Sequence, residues 1–531
     1  MKKKNIYILA MLLLMTSVFS GCTDWLTMKP ESQIILDDYW QSQSDVESVI
    51  AACYRGLTDD ATIYRMIVWG ELRSDNLTAG SPFAYAHIDM QHILNGELTS
   101  VNQYASWAPF YTVINYCNTV LHFSPLVLSR DRNFTPAELK RVQAEVLTIR
   151  SLCYFYLVRS FGDVPWMGAA SVDDTQNYTP AKSPERAVMD SIISNLLTAQ
   201  QYARADYGRT DYNKGRITLD AVNALLADVY LWDQQYDKCV NTCNLVIADK
   251  NLSLVDANLM YRKVFYLGNS SESIFELNFN DKVQVNNAVN QLYGNVGNNS
   301  GELSFPTTLG YDPYGMVPSI YSPFDYKVSN SVSESQYDIR AKDFINTNMA
   351  NQTGQNSIFK YAGLARVENS AGTSSSYLYR TNTANWIIYR LSDVILMKAE
   401  ALVELDGESN FASAMKCVNQ TYLRSNVGQD SLYLKDYDSK PQMESLVLRE
   451  RQRELMFEGK RWYDLMRVAR RENSVTTINS FVNHKVSGNG AAVSALVMDA
   501  LYMPIALSEL QVNPNLKQNP YYEQTTSYSK N

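Results

Sequence analysis

Residues Leu219–Asp249 read LDAVNALLADVYLWDQQYDKCVNTCNLVIAD. Leu226, Ala227 and Tyr230 recur at helical spacing; Asp233-Gln234-Gln235 then interrupts, and Tyr236, Cys239, Cys243 and Val246 resume the pattern. Spacing of three and four puts each set on one face of a helix, so the stretch predicts two helices joined by a short turn. Small side chains at Ala227 and Cys239 let the two faces approach closely. A single hairpin of this kind cannot bury its apolar face; stacking on similar hairpins does, and a helical solenoid results.

The pattern recurs on both sides. Trp386–Leu405 and Phe411–Leu423 predict a second hairpin, broken by Asp406-Gly407. Upstream, Asp45–Leu57, Trp107–Phe123 and Ala137–Phe161 each predict a helix. Ser183-Pro184-Glu185-Arg186 opens another, with Ser183 as cap and Pro184 in the first turn, running to about Tyr202. The hairpin spacing fits the tetratricopeptide pair of about 34 residues. Leu446–Arg470 predicts one charged helix with Leu448, Leu455, Trp462 and Leu465 as its buried stripe. Ser273–Phe279 reads as a short strand, and the tail from Tyr502 to Tyr521 as extended and turn-rich. Asp281–Ser376 is rich in Asn, Ser, Gly and Tyr and lacks helical period. So long an irregular stretch is functional or disordered, and its aromatics argue against disorder. The expected fold class is mainly α: a solenoid of helical pairs with an irregular, loop-rich binding subregion and few short strands. The expected divisions are a leader at 1–21, a helical region at 22–210, the hairpin and strand at 211–278, a Tyr- and Asn-rich binding region at 279–385, and a helical region with tail at 386–531.

The leader begins with Lys2, Lys3 and Lys4, followed by the apolar run Ile6–Phe19 and then Ser20-Gly21-Cys22. That is the layout of a secretory signal, and the run is shorter than the roughly 20 residues that span a bilayer. Cysteine directly after Ser-Gly points to a bacterial lipoprotein signal, with cleavage before Cys22 and lipidation of its thiol. An ordinary signal peptide with a chance cysteine is the other reading. The whole chain carries a formal net charge of −8, and the leader holds three lysines and no acid, so the remainder is more acidic still. Such a chain is a poor partner for nucleic acid or anionic lipid, leaving any membrane hold to acyl chains. Seven cysteines in 531 residues, none in a CxxC pair, are too sparse for a disulfide scaffold. Cys239 and Cys243 share a helix face as small core residues.

Catalytic constellations are missing. The four histidines, His87, His92, His122 and His484, form no HExxH, and there is no GxSxG elbow, P-loop or dinucleotide-binding glycine motif. Two placed carboxylates would suffice for glycoside hydrolysis, which leaves a glycosidase open. Glu454 and Glu458, one helical turn apart, have basic neighbours at helical spacing and read as a salt-bridged structural helix. What remains is a binding signature. The chain has 36 tyrosines against 17 phenylalanines and 8 tryptophans, and a tyrosine's flat ring with a polar tip suits wet binding surfaces. Two stretches qualify: Trp69–His92, containing Asp75, Asn76, Phe83, Tyr85 and His87, and Tyr293–Tyr326, containing Tyr311, Tyr314 and Tyr321. Rings would stack on a sugar face while Asp75, Asn76 and Arg340 supply polar contacts. No catalytic or metal residue is expected and no cofactor is called for, although Asp- and Asn-rich loops leave room for a calcium ion.

Taken in order, the motifs of the chain resemble the SusD/RagB family of outer-membrane nutrient-binding lipoproteins. They are Cys22-Thr23-Asp24-Trp25-Leu26; Gly70-Glu71-Leu72 with Ser74-Asp75-Asn76; Trp107 through Tyr111 with Ile114 and Asn118; Arg150 through Phe161-Gly162-Asp163-Val164-Pro165; Gly215-Arg216-Ile217-Thr218; and Tyr389-Arg390-Leu391 leading into Met397-Lys398-Ala399-Glu400-Ala401. The most specific block is Glu450-Arg451, Glu454-Leu455, Glu458-Gly459, Arg461-Trp462 and Asp464-Leu465, followed by Pro504-Ile505, Asn513-Pro514 and Gln518-Asn519-Pro520. Leu391 and Ala506 depart from the family pattern. The resemblance implies four tetratricopeptide-like helix pairs, glycan or peptide capture at the cell exterior, and partnership with a TonB-dependent outer-membrane barrel of the SusC type. These motifs are scaffold motifs in the family, so the resemblance assigns no ligand residue.

Overall fold

The computed structural model of the protein describes residues 36–80, 87–172, 176–295, 299–306, 323–324, 327–329, 332–333, 338–346, 356–361, 365–368, 375–378, 383–483 and 496–527. Cys22 and the expected leader lie outside them. The opening hairpin forms as Leu219–Trp232 and Tyr236–Ile247. Thr218 caps the first helix by accepting from the Ala221 amide, and Gln234 turns the chain with a φ of 58°. Ala227, Cys239 and Cys243 are fully buried, with the two sulfurs 3.9 Å apart. The other cysteines among the described residues are also reduced and buried.

Gln43–Leu57, Ala108–Val127, Pro136–Phe161 and Glu185–Tyr202 precede this hairpin, and Leu391–Glu404 and Glu408–Ser425 follow it. Each packs on the next, so the described helices include four pairs of a tetratricopeptide-like solenoid. Their start signals are local. Ser42 and Asp45 form a capping box, and Thr135 accepts from the Glu138 amide. Ser183 was expected to cap Glu185–Tyr202 but instead pairs its backbone with Val164, and the Asp163 carboxylate accepts from the Glu185 amide at 2.7 Å.

The tail, expected to be extended and turn-rich, carries the helix Leu507–Val512, and two further elements differ from the sequence reading. Trp386–Arg390 is a strand, not the first turn of a helix, and pairs antiparallel with Ser273–Leu277. All five of its residues are buried, and such a run has no helical or alternating signature to separate the two states. The predicted helix Leu446–Arg470 is two helices, Lys440–Leu455 and Arg461–Glu472. Between them Phe457 and Gly459 take φ of 69° and 72°. Glu71, fully buried, accepts from the amides of Phe457, Lys460 and Arg461 and from Asn76 Nδ2. One carboxylate thus satisfies the amides freed by the break.

The charges of Lys440–Glu472 turn inward. Arg340 binds Asp338, Glu450 and Glu454; Arg390 binds Glu272, Glu454 and Glu458; Lys360 donates to Glu458. Every side chain in these pairs is fully buried. Glu454 and Glu458 are therefore structural, but their partners come from residues far away in sequence. Burial would raise the Glu454 carboxyl, yet Arg424, Arg390 and Arg340 hold it well below the usual carboxylate range.

Candidate ligand-binding face

The strand Thr78–Ala79 pairs antiparallel with Leu303–Phe305, Thr78 opposite Ser304 and Ala79 opposite Leu303. The Gly80 amide extends the ladder to the Glu302 carbonyl at 2.7 Å. Asn356–Ile358 and Ile345–Asn346 complete a four-stranded sheet. This pairing joins the two aromatic stretches singled out in the sequence. Residues 81–86, with Phe83 and Tyr85, follow Gly80 directly, and residues 307–322, with Tyr311, Tyr314 and Tyr321, follow Phe305-Pro306. Those five rings lie outside the described residues; each stretch begins directly after a strand of the same sheet.

A polar cluster stands where the two stretches meet. Asp60–Ile67 supplies Tyr64, Asn287–Tyr293 supplies Gln291, and these helices pack together. His87 precedes the helix Ile88–Leu94, and Glu302 precedes the strand Leu303–Phe305. Glu302 Oε1 lies 3.0 Å from His87 Nε2 and accepts from Gln291 Nε2 at 2.7 Å. Gln291 Nε2 is also 2.9 Å from His87 Nε2, and the Tyr64 hydroxyl donates to Gln291 Oε1. Glu302 is 8% exposed, and its Oε2 is buried with no hydrogen-bond partner. Asp60 accepts from Asn287 at 2.9 Å and also keeps a buried, unpartnered oxygen. Burial, then Glu302 and Asp60, push the Tyr64 hydroxyl well above its ordinary range, so it stays a donor.

Four residues expected at a ligand are placed inside the scaffold. Asp75 accepts from Arg461 at 2.8 Å and from Gln452 at 2.9 Å, while Asn76 bridges Glu71 and Gln452. Arg340 is fully enclosed by its carboxylates, and Tyr293 is buried and stacks on Tyr361. None of the four presents a side chain at the surface. Glu302, Gln291 and Tyr64 were not singled out by the sequence; the strand pairing and the packing of Asp60–Ile67 on Asn287–Tyr293 bring them to His87.

A concavity of about 690 Å³ lies elsewhere, lined by Lys214, Asp220, Asp249, Asn251, Asn269 and Ser271 among others, and by no aromatic ring among the described residues. Burial and the neighbouring Asp249 push the Asp220 carboxyl up to about 7, with Lys214 partly offsetting them. A carboxyl whose pKa is higher folded than unfolded binds its proton more tightly when folded. Its contribution is fully present below about pH 4 and is lost as pH rises to about 7. Asp220→Asn should therefore gain stability over the native chain between pH 4 and 8, on the order of 2 kcal/mol after discounting for partial exposure. Urea titrations at the two pH values check this; a variant equally displaced at both would contradict it.

Among the described residues no group of three or more His, Cys, Asp or Glu side chains gathers to hold a metal ion, and no helix is long and apolar enough to cross a membrane.

Residues 24–231 match the model of a family described as starch-binding associating with outer membrane, and residues 324–522 match that of the SusD family. SusD-like protein P38 of Formosa agariphila is 25% identical, the match covering 98% of this chain and all of that one. Among solved structures, a SusD superfamily protein of Bacteroides thetaiotaomicron superposes with a TM-score of 0.68 at 19% identity, covering 91% of this chain and 99% of that one. NanU of B. fragilis gives 0.66 at 19% identity, covering 93% of this chain and all of that one.

Proposed function

The chain belongs to the SusD family, and on that premise we propose that it is a lipid-anchored glycan-binding protein of the outer cell surface, without catalytic activity, that passes oligosaccharide to a TonB-dependent barrel. The observation that carries this reading is the pairing of Thr78–Ala79 with Leu303–Phe305, which starts both aromatic stretches from one sheet. Phe83, Tyr85, Tyr311, Tyr314 and Tyr321 would supply the stacking platforms, with region 279–385 as the main binding region. A rigid solenoid carrying variable loops is the usual way to hold such a site. The starch-binding, membrane-associating description of the family matched by residues 24–231 supports both the ligand class and the location.

A peptide ligand is the second reading. An extended peptide would be held through backbone hydrogen bonds and side-chain pockets rather than ring platforms. Array screening of the purified chain against defined glycans and peptides separates the two. Glycan hits released unhydrolysed support the proposal, and hits confined to peptides, or reducing ends appearing over time, overturn it.

The anchor is the Cys22 thiol. One acyl chain holds a protein marginally and two or more hold it stably, at about 0.8 kcal/mol per buried CH₂. Cys22→Ala should move the protein from the membrane fraction to the soluble fraction and leave glycan affinity unchanged. Retention of the variant in the membrane fraction would sink the anchoring claim.

A further inference from the structure

The concavity of about 690 Å³ lies where four segments meet: the short helix Thr210–Gly215, the start of Leu219–Trp232, the exit of Tyr236–Ile247 and the loop entering Ser273–Leu277. It shares no lining residue with the sheet of Thr78–Ala79 or with the His87 cluster. Its size is that of a small-molecule site. The described lining carries one cation, Lys214, and three carboxylates, Asp206, Asp220 and Asp249. Lys214 is half-buried. Burial pulls its ammonium below the ordinary range, and Asp220, Glu276 and Asp249 partly restore it. They act from a distance: among the described residues Lys214 makes no hydrogen bond and no ion pair within 4.0 Å. Across from it Asp220 is hydrogen-bonded to Asp249, so the two carboxyls share a proton. Asp249 also accepts from the Asn251 amide at 2.9 Å, and Asp206 accepts from the Gly208 amide at 2.7 Å. The acids are thus held in place, while the ammonium lacks an acceptor.

A simple anion would pair with Lys214 but face three carboxylates. A simple cation would pair with the acids but face Lys214. A molecule carrying both charges satisfies both ends, with charge-assisted hydrogen bonds at each. A sugar finds no stacking face here, because no described lining residue is aromatic. We propose that this cavity binds a small zwitterion, a free α-amino acid or short peptide, with its carboxylate on Lys214 and its ammonium between Asp220 and Asp249. The ammonium takes the place of the shared proton, which leaves to solvent. The site is separate from the glycan face, and neither depends on the other.

The test is calorimetry of the full chain with free amino acids and dipeptides, each paired with its N-acetylated and its C-amidated form. The unblocked form should bind at least about tenfold tighter than either blocked form, since each block removes one charge-assisted contact. Near pH 7 it should also release protons, read from titrations in buffers of different ionisation enthalpy. Lys214→Met should end the preference over the amide, and Asp220→Asn should end the proton release, with melting temperature confirming that the variants fold. Glycans selected on the array should bind both variants as they bind the native chain. Binding of no unblocked form, or equal binding of the blocked forms, overturns the proposal and leaves the glycan reading standing. Folded variants that keep both the preference and the proton release overturn the assignment to this cavity. Loss of glycan binding in the same variants overturns the separation of the two sites.

Discussion

Gly70→Ala should cost this protein a large share of its stability. A β-carbon on Gly70 would overlap the carbonyl oxygen of Gly459, a backbone atom that cannot rotate away. Gly459 cannot retreat either: it holds a φ of 72°, and its own added β-carbon would meet the Met66 carbonyl oxygen at 2.9 Å. The two glycines are pressed together because Glu71, next to one, binds the amides of Phe457, Lys460 and Arg461 around the other. The clash would therefore separate two segments nearly 400 residues apart in the chain and free a fully buried carboxylate. The cost should exceed about 4–5 kcal/mol, a large share of the about 5–15 kcal/mol that holds a domain together. Circular dichroism with chemical denaturation checks it. A variant that unfolds within about 1 kcal/mol of the native chain would show that the close approach is not required.

Arg390→Met should cost about 3–5 kcal/mol, the usual penalty for removing one partner of a buried ion pair. Its guanidinium touches Glu272, Glu454 and Glu458, and the Glu454 carbonyl as well. Methionine fills part of the volume and supplies no charge, so the three carboxylates keep only Arg340, Arg424 and Lys360. The loss should be larger at pH 7 than at pH 4. Neighbouring cations hold Glu454 and Glu458 below the ordinary carboxylate range, so their stabilisation is present above about pH 4.5 and disappears as pH falls through the lowered values. With Arg390 gone, protonation relieves the variant sooner than the native protein. Denaturant midpoints at the two pH values measure the difference, and an equal cost at both would mean that packing, not charge, sets Arg390's role.

These two sites also show what the sequence could and could not disclose. Leu219–Ile247 was legible because a hairpin is a local object: apolar spacing, a turn and small contact residues all lie within one window. Trp386–Arg390 was misread because a run buried on every side carries no period. The break at Met456–Lys460 was hidden because its cause, Glu71, sits elsewhere in the chain. Asp75, Asn76 and Arg340 looked like ligand residues for the same reason: a polar side chain in an irregular stretch gives no sign that Gln452, Arg461 or Glu450 waits for it. The candidate face was half visible. Its aromatics stood out by composition, while Tyr64, Gln291 and Glu302 became a cluster with His87 through strand pairing and helix packing across more than 200 positions.

The central claim, glycan capture by the loops rooted at that sheet, is tested most directly by calorimetric titration of an array-selected glycan into the native chain and into a variant with Phe83, Tyr85, Tyr311, Tyr314 and Tyr321 all replaced by alanine. A ring that stacks on a sugar should contribute about 1–3 kcal/mol, by analogy with stacking on bases. The account predicts binding by the native chain and at least a tenfold loss in the variant at unchanged melting temperature. Equal affinity of the two proteins would contradict it.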